Sequence, residues 1–225
     1  RLAFCDPRRL GRLSVLRVPP RTVAPVGKLA PDPTTGAFAL PSFSAAINSR
    51  SVAIKAALLD QRCAVCGVGN WIADEVLYQA RIHPAARSDS LSSQQEAALF
   101  SAVCEVIAVA CAVGADSAHF PPGWLFHHRW NKGGRKGGGG GKVGGEPVTF
   151  VTVGGRTSAV VPSQRKGAGK EVAVNGGGAT VGIAVLLLWA RQARRTLTLT
   201  LTLTPTLTLR GGTFLIEDFY MIQPF

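Results

Sequence analysis

The sequence predicts a mainly α fold with a small β part. Three observations carry this. Residues 93–113 place Leu99, Ala102, Val103, Val106, Ile107, Ala110 and Val113 at i, i+3 and i+4 spacing, the stripe of an amphipathic helix. Two further helical segments, 43–61 and 71–80, are divided by Cys66-Gly67-Val68-Gly69-Asn70, where two glycines stop a helix and permit a tight turn. Val148 to Val153, then Gly154-Gly155, then Ser158 to Val161 read as strand, turn and strand, a β-hairpin.

The chain has 225 residues, enough for one large domain or two small ones. Residues 1–18 alternate weakly through Leu13, Val15 and Leu16 and are expected to hold one or two strands. Residues 19–41 carry six prolines and read as a linker. Residues 42–130 form the helical module. Ser42 and Ser51 are candidate N-caps for its first two helices, and Ile54, Leu58 and Leu59 the buried face of the second. The next helix, Trp71 to Ala80, is expected to bury Ile72, Ala73, Val76, Leu77 and Ala80, and Pro84 ends that segment. Ser92 and Gln95 make a capping box, and Gly114 is a natural stop for the long helix. Residues 131–166 combine a basic glycine-rich loop, Gly133 to Gly145, with the hairpin. Residues 167–225 hold a Thr-Leu alternation from Thr196 to Leu209, broken at Pro205. Such low-complexity sequence is expected to be disordered, although the alternation would suit one strand with a leucine face.

Charge narrows the class. Lys and Arg number 25 against 13 Asp and Glu, for a net +12. Residues 1–28 carry +6 and residues 131–170 carry +7, while residues 29–130 carry −2. Two basic blocks around a near-neutral middle suit either two solvated loops or a clamp on a polyanion. An acidic tail, a collagen and a disulfide miniprotein are excluded. Five cysteines are an odd count, against a secreted disulfide framework, and a reducing compartment is expected. The longest apolar stretch, Ala179 to Ala190, falls short of the roughly 20 residues of a membrane span, so no membrane helix is expected.

Gly67-Val68-Gly69-Asn70 is the sharpest local motif. A tight glycine turn exposes backbone N–H groups beside the positive end of the next helix, a geometry that binds phosphate. The same residues also suit an ordinary corner between helices with an Asn cap. Cys63 and Cys66 form a C-x-x-C without a partner pair. Zinc takes four ligands, so helix packing is the better assignment. Cys104 and Cys111 share a helix face and are expected in the core, and His83 is expected to be structural.

Longer blocks extend the motif. Leu58-Leu59-Asp60-Gln61, followed by Gly67-Val68-Gly69-Asn70-Trp71-Ile72-Ala73-Asp74-Glu75 and Ile82-His83-Pro84, resembles the helix–two-turn–helix module of formamidopyrimidine-DNA glycosylases. Asp6-Pro7-Arg8-Arg9-Leu10-Gly11 is similar to that family's D-P-R-R-F-G loop. Trp124-Leu125-Phe126-His127 and Gly154-Gly155-Arg156-Thr157-Ser158-Ala159 resemble its plant branch. The blocks cover roughly residues 1–166 in the family's order.

The resemblance implies base-excision repair. The family flips oxidised purines, such as 8-oxoguanine and formamidopyrimidines, out of duplex DNA, excises them and cleaves the abasic strand. It implies DNA-contacting roles for Arg8, Arg9, Leu10, Lys55, Gly67, Gly69, Asn70 and Arg156. Arg8 matches the arginine that faces the orphaned cytosine. Leu10 stands where the family has a wedge phenylalanine, and Ala56 where it usually has proline after the lysine. Lys55 matches the lysine near the lesion. Asn70 matches the asparagine on the adjoining phosphate, and Arg156 the arginine at the finger tip, whose guanidinium suits phosphate. The hairpin resembles the zincless finger of plant relatives, so no metal or cofactor is expected.

The family's nucleophile is the amine of an N-terminal proline beside a glutamate. No residue here matches it: Pro7 is internal, and Glu75 belongs to a helix of the module. The catalytic domain is expected to be missing from this sequence, and no catalytic residue is assigned. The expected partner is double-stranded DNA with oxidised purine lesions, bound by a monomer without a membrane, inside the cell and in the nucleus or an organelle.

Overall fold

The computed structural model of the chain describes residues 18–130, 140–166, 206–209 and 212–215. Residues 16–172 form one unit, and residues 1–15 with 173–225 another. The larger unit holds four α-helices among its described residues: α1 (Leu40–Asn48), α2 (Ile54–Leu59), α3 (Asn70–Gln79) and α4 (Ser93–Ala112). Two short 3-10 turns, Pro20–Thr22 and Val26–Lys28, lie in the proline-rich segment before them.

The starts of α1 and α2 differ from expectation. Proline is tolerated in a first helical turn, where its missing N–H has no partner to lose. Hence α1 begins at Leu40 with Pro41 inside it, and Ser42 lies within the helix, its hydroxyl donating to the Ala39 carbonyl. Ser51 is not the cap of α2. The first N–H groups of α2, those of Ile54 and Lys55, donate to the carbonyls of Ala86 and Pro84, so a distant backbone segment caps the helix.

Helix α4 follows local rules at both ends. The Ser92 hydroxyl accepts from the Gln95 N–H while the Gln95 side chain accepts from the Ser92 N–H, a complete capping box. At the other end Gly114 takes φ +60°, and the N–H groups of Ala115 and Gly114 donate to the Ala110 and Cys111 carbonyls. That is a Schellman stop. By length and composition α4 could cross a membrane. Its Leu99, Val103 and Val106 are instead buried against Phe43, Ile47, Ile54, Leu58, Val76 and Leu77 of the other helices.

Three antiparallel strands follow: β1 (Gly140–Val143), β2 (Glu146–Val153) and β3 (Arg156–Val160), in spatial order β1-β2-β3. Gly144-Gly145 and Gly154-Gly155 join them as two-residue turns with every φ positive, between +56° and +83°. Only glycine adopts two such conformations in succession without steric cost. Strand β1 falls inside the segment expected to be loop, because Gly137 to Gly141 hides any side-chain alternation there.

The sheet packs on the helices through Val143, Val148, Ala159 and Val161, which bury Tyr78 of α3 and Leu125. Helix α3 is therefore covered on two sides. Ala73, Val76 and Leu77 face the helical core as expected, but Asp74, Glu75 and Tyr78 are buried too, while Ile72 and Ala80 are only partly covered.

In the second unit, β4 (Thr206–Leu209) pairs antiparallel with β5 (Gly212–Leu215). These eight residues depart from the disorder expected of the tail, and in β4 the alternation of Thr and Leu matches the two-residue period of a strand. The expected strands of residues 1–17, the basic loop 131–139 and the rest of the tail lie outside the described residues.

Cysteine assignments divide. Cys104 is half-buried against the core as expected, but Cys111 is exposed. Cys63 and Cys66 lie in the turn between α2 and α3, where Cys63 packs against the helical core, and burial pushes both thiols above their ordinary pKa. Among the described residues no group of His, Cys, Asp or Glu could hold a metal ion.

Two substitutions test this core. Ser92→Ala should lower unfolding free energy by about 1 kcal/mol in urea denaturation. Leu99→Ala, which empties a fully buried site, should cost about 2–5 kcal/mol.

Candidate nucleic-acid interface

The turn between α2 and α3 is organised by one side chain that the motif contains but composition does not single out. The Gln61 amide donates to the carbonyls of Leu59 and Val68, both at 3.0 Å, and its oxygen accepts from the Gly67 N–H at 2.7 Å. Gly67 sits at φ +81° with open space around it, a conformation that requires glycine. Gly69 differs: its φ of −94° is open to any residue, and it is the buried N-cap position of α3. Asn70 opens the helix and does not cap it.

Asn70 is tied to the hairpin. Its Nδ2 donates to the Thr157 carbonyl at 3.3 Å, leaving the second N–H of that amide, while its Oδ1 is buried without a partner. Arg156 is exposed beside the Gly154-Gly155 turn, paired in register with Val153. The turn rests on α2, for a Cβ placed on Gly154 would lie 3.6 Å from the Ala56 Cβ. The small residue at position 56 thus lets the hairpin tip approach the helix.

Lys55 is neither a surface charge nor a free cation. It is fully buried, and its ammonium donates to Asp74 Oδ1 at 2.6 Å, Ser158 Oγ at 2.7 Å and the Thr157 carbonyl at 3.2 Å. All three of its N–H groups are used within the protein. Burial pushes its pKa below the ordinary lysine value. Asp74 opposes that shift, and Arg129 and Arg156 add to it. Lys55 therefore fixes the hairpin backbone in place, and the sequence offered no signal for this.

Two more residues were not singled out as site residues from sequence. Asp74 Oδ2 accepts from Arg129 at 2.9 Å and from the Ala159 N–H at 3.3 Å. Its neighbour Glu75 faces another way. Glu75 is fully buried, accepts from Gln79 at 2.7 Å and from the Phe126 N–H at 2.8 Å, and so locks residues 125–128 onto α3. Burial raises its pKa against those two hydrogen bonds. His83 is structural: its ring accepts from the Ala85 N–H and its backbone N–H donates to the Arg165 carbonyl.

The arrangement joins Lys55, Gly67, Gly69, Asn70 and Arg156 along one edge, formed by the α2–α3 turn and the β2–β3 tip. The exposed donor there is the Arg156 guanidinium, and the first turn of α3 contributes its positive end. No acid among the described residues hydrogen-bonds to Arg156, and the Asp74 charge is matched by two cations. Such an edge attracts anions. Arg8, Arg9 and Leu10 lie outside the described residues.

Comparison with known proteins bears on the family of the chain. Residues 29–121 match the model of the formamidopyrimidine-DNA glycosylase H2TH domain. The chain is 42% identical over 170 residues to a formamidopyrimidine-DNA glycosylase of Arabidopsis thaliana, covering 76% of this chain and 42% of that protein. It is 41% identical over 117 residues to the enzyme of the same name from Thermus thermophilus, covering 52% of this chain and 43% of that one. The chain thus spans less than half the length of these curated relatives. Among solved structures, the MutM (Fpg) protein of Thermus thermophilus matches with a TM-score of 0.58 and 33% identity, over 72% of this chain and 64% of that one. A MutM in complex with DNA containing carbocyclic 8-oxo-G matches with a TM-score of 0.51 and 27% identity, over 62% and 51%.

Gln61→Ala should destabilise the turn by about 2 kcal/mol, since three hydrogen bonds lose their partner. Hydrogen exchange should show the Gly67 amide losing protection while α4 keeps its own.

Proposed function

Because the chain belongs to the formamidopyrimidine-DNA glycosylase family, we propose that it binds duplex DNA carrying an oxidised purine and serves base-excision repair. The edge built by the α2–α3 turn and the hairpin tip is the surface that holds the damaged strand. One observation supports this above the rest: the Thr157 carbonyl receives both Asn70 and Lys55, so the start of α3 and the residue beside Arg156 form one unit. An asparagine N–H and a guanidinium then face a single backbone phosphate from two elements.

In this reading each residue has a physical task. Arg156 supplies an exposed charge with two parallel donors, which match two phosphate oxygens. Asn70 contributes its remaining N–H, and the first turn of α3 adds partial positive charge. Gly67, whose own N–H is held by Gln61, lets the chain turn into α3 without a side chain in the strand's way. Phosphate contacts fix the strand's position and carry no base specificity. Choice of lesion, excision by the proline amine and strand cleavage belong to the family's whole protein and enter here as part of the proposal. The basic blocks outside the described helices would add sequence-independent attraction.

Fluorescence anisotropy with a labelled duplex containing one 8-oxoguanine tests this. Arg156→Ala and Asn70→Ala should each weaken binding about tenfold, and Arg156→Ala should also reduce the slope of log affinity against log salt by about 1. Unchanged affinity in both variants would sink the assignment of this edge.

A further inference from the structure

We propose that Arg129, which lies outside the matched motifs, is a positioning residue for the phosphate-holding edge and acts through Asp74. This rests on the DNA-binding reading above. Arg129 follows the short 3-10 turn Leu125–His128. Its side chain is 7% exposed, so it offers no surface for a phosphate. Its guanidinium lies over the exposed Trp130 ring, 4.5 Å from the centroid, and donates to Asp74 Oδ2 at 2.9 Å.

The consequence follows from how Asp74 divides its oxygens. Oδ1 takes Lys55, which in turn grips the Thr157 carbonyl and the Ser158 hydroxyl. Oδ2 takes Arg129 and the Ala159 N–H. One carboxylate thus holds three consecutive residues of β3, directly or through Lys55, immediately after Arg156. The charged bond from Arg129 is shorter than the amide bond from Ala159, and it fixes the plane of the carboxylate. Without it, the carboxylate is free to turn both oxygens toward Lys55 and release Ala159. The hairpin would then keep its pairing but lose its fixed tilt on α3.

A second observation points to the same place. Among the described residues, the buried side-chain polar atoms without a partner are Asn70 Oδ1 and Arg129 Nε. Both belong to this cluster, Asn70 one helical turn before Asp74. Unpaired buried polar groups are rare in folded proteins, and each calls for an explanation at its site. Both unpaired atoms lie at the joint that sets the edge.

The test is a double-mutant cycle in the full chain, read by anisotropy with the 8-oxoguanine duplex. Arg129→Met keeps the stem against Trp130 and leaves Lys55 and Asp74 as a balanced pair. It should weaken binding about tenfold and lower the salt slope by about 1, although Arg129 touches no phosphate. Combined with Arg156→Ala it should lose little beyond the larger single effect, because both act on one contact. Arg81→Gln removes the same charge at the far end of α3 and should change affinity by less than about twofold.

Affinity within twofold of the unaltered chain, or losses that multiply in the double variant, would overturn the proposal. Should Arg129→Met fail to melt cooperatively, Arg129→Lys carries the same cycle. It should lose about threefold, again absorbed in the double variant, and a multiplying loss there overturns it. Failure of the unaltered chain to bind the duplex removes the DNA-binding reading itself, an outcome distinct from binding with independent losses.

Discussion

A single buried carboxylate holds the helical module and the hairpin together. Asp74 meets Lys55 on one oxygen and Arg129 on the other, with all three side chains removed from water. Burying such charges is costly, and their attraction offsets the cost only when geometry and further hydrogen bonds are good. Lys55 and Asp74 meet that condition: Lys55 fills its remaining N–H groups with Thr157 and Ser158, and Asp74 takes the Ala159 amide. An apolar joint would allow the sheet to slide on α3. Directional bonds to three consecutive residues of β3 do not.

The same joint explains why α3 carries polar residues on a face that would otherwise be solvent. Asp74 binds the hairpin and the loop at Arg129, and Glu75 binds the loop at Phe126. Two adjacent acids thus anchor two different segments to one helix. The start of that helix meets the hairpin through the bond from Asn70 to the Thr157 carbonyl. The exposed arginine of the hairpin tip has no carboxylate partner among the described residues, while buried Lys55 has all three of its N–H groups engaged and buried Arg129 is paired with Asp74. Exposed charge at the hairpin tip and charge that builds the joint are therefore carried by different residues.

Local sequence was a sound guide wherever a residue's neighbours in the chain satisfy it. Ser92 and Gln95 cap α4 from three residues apart, and Gly114 ends it. Gly154-Gly155 sets the hairpin, since glycine takes two successive positive φ angles at the least cost. The same rules failed where satisfaction comes from afar. Ser51 was expected to cap α2, but the carbonyls of Pro84 and Ala86 do so. Strand β1 was hidden because glycines carry no side-chain alternation.

The sequence by itself determined the four-helix and hairpin composition, the glycine turn before Asn70, the family and the excess of positive charge. Each rests on spacing within a few residues or on ordered blocks of residue types. Only the tertiary structure decided that Lys55 is buried, that Asp74 is its counterion, and that Arg129 shares that carboxylate. These partners stand 19 and 55 residues from Asp74, and no periodicity relates them. A lysine in a helix looks the same in sequence whether it faces water or a carboxylate. What separates the two is the desolvation cost and the partner that offsets it, and both exist only once the sheet has closed over α3.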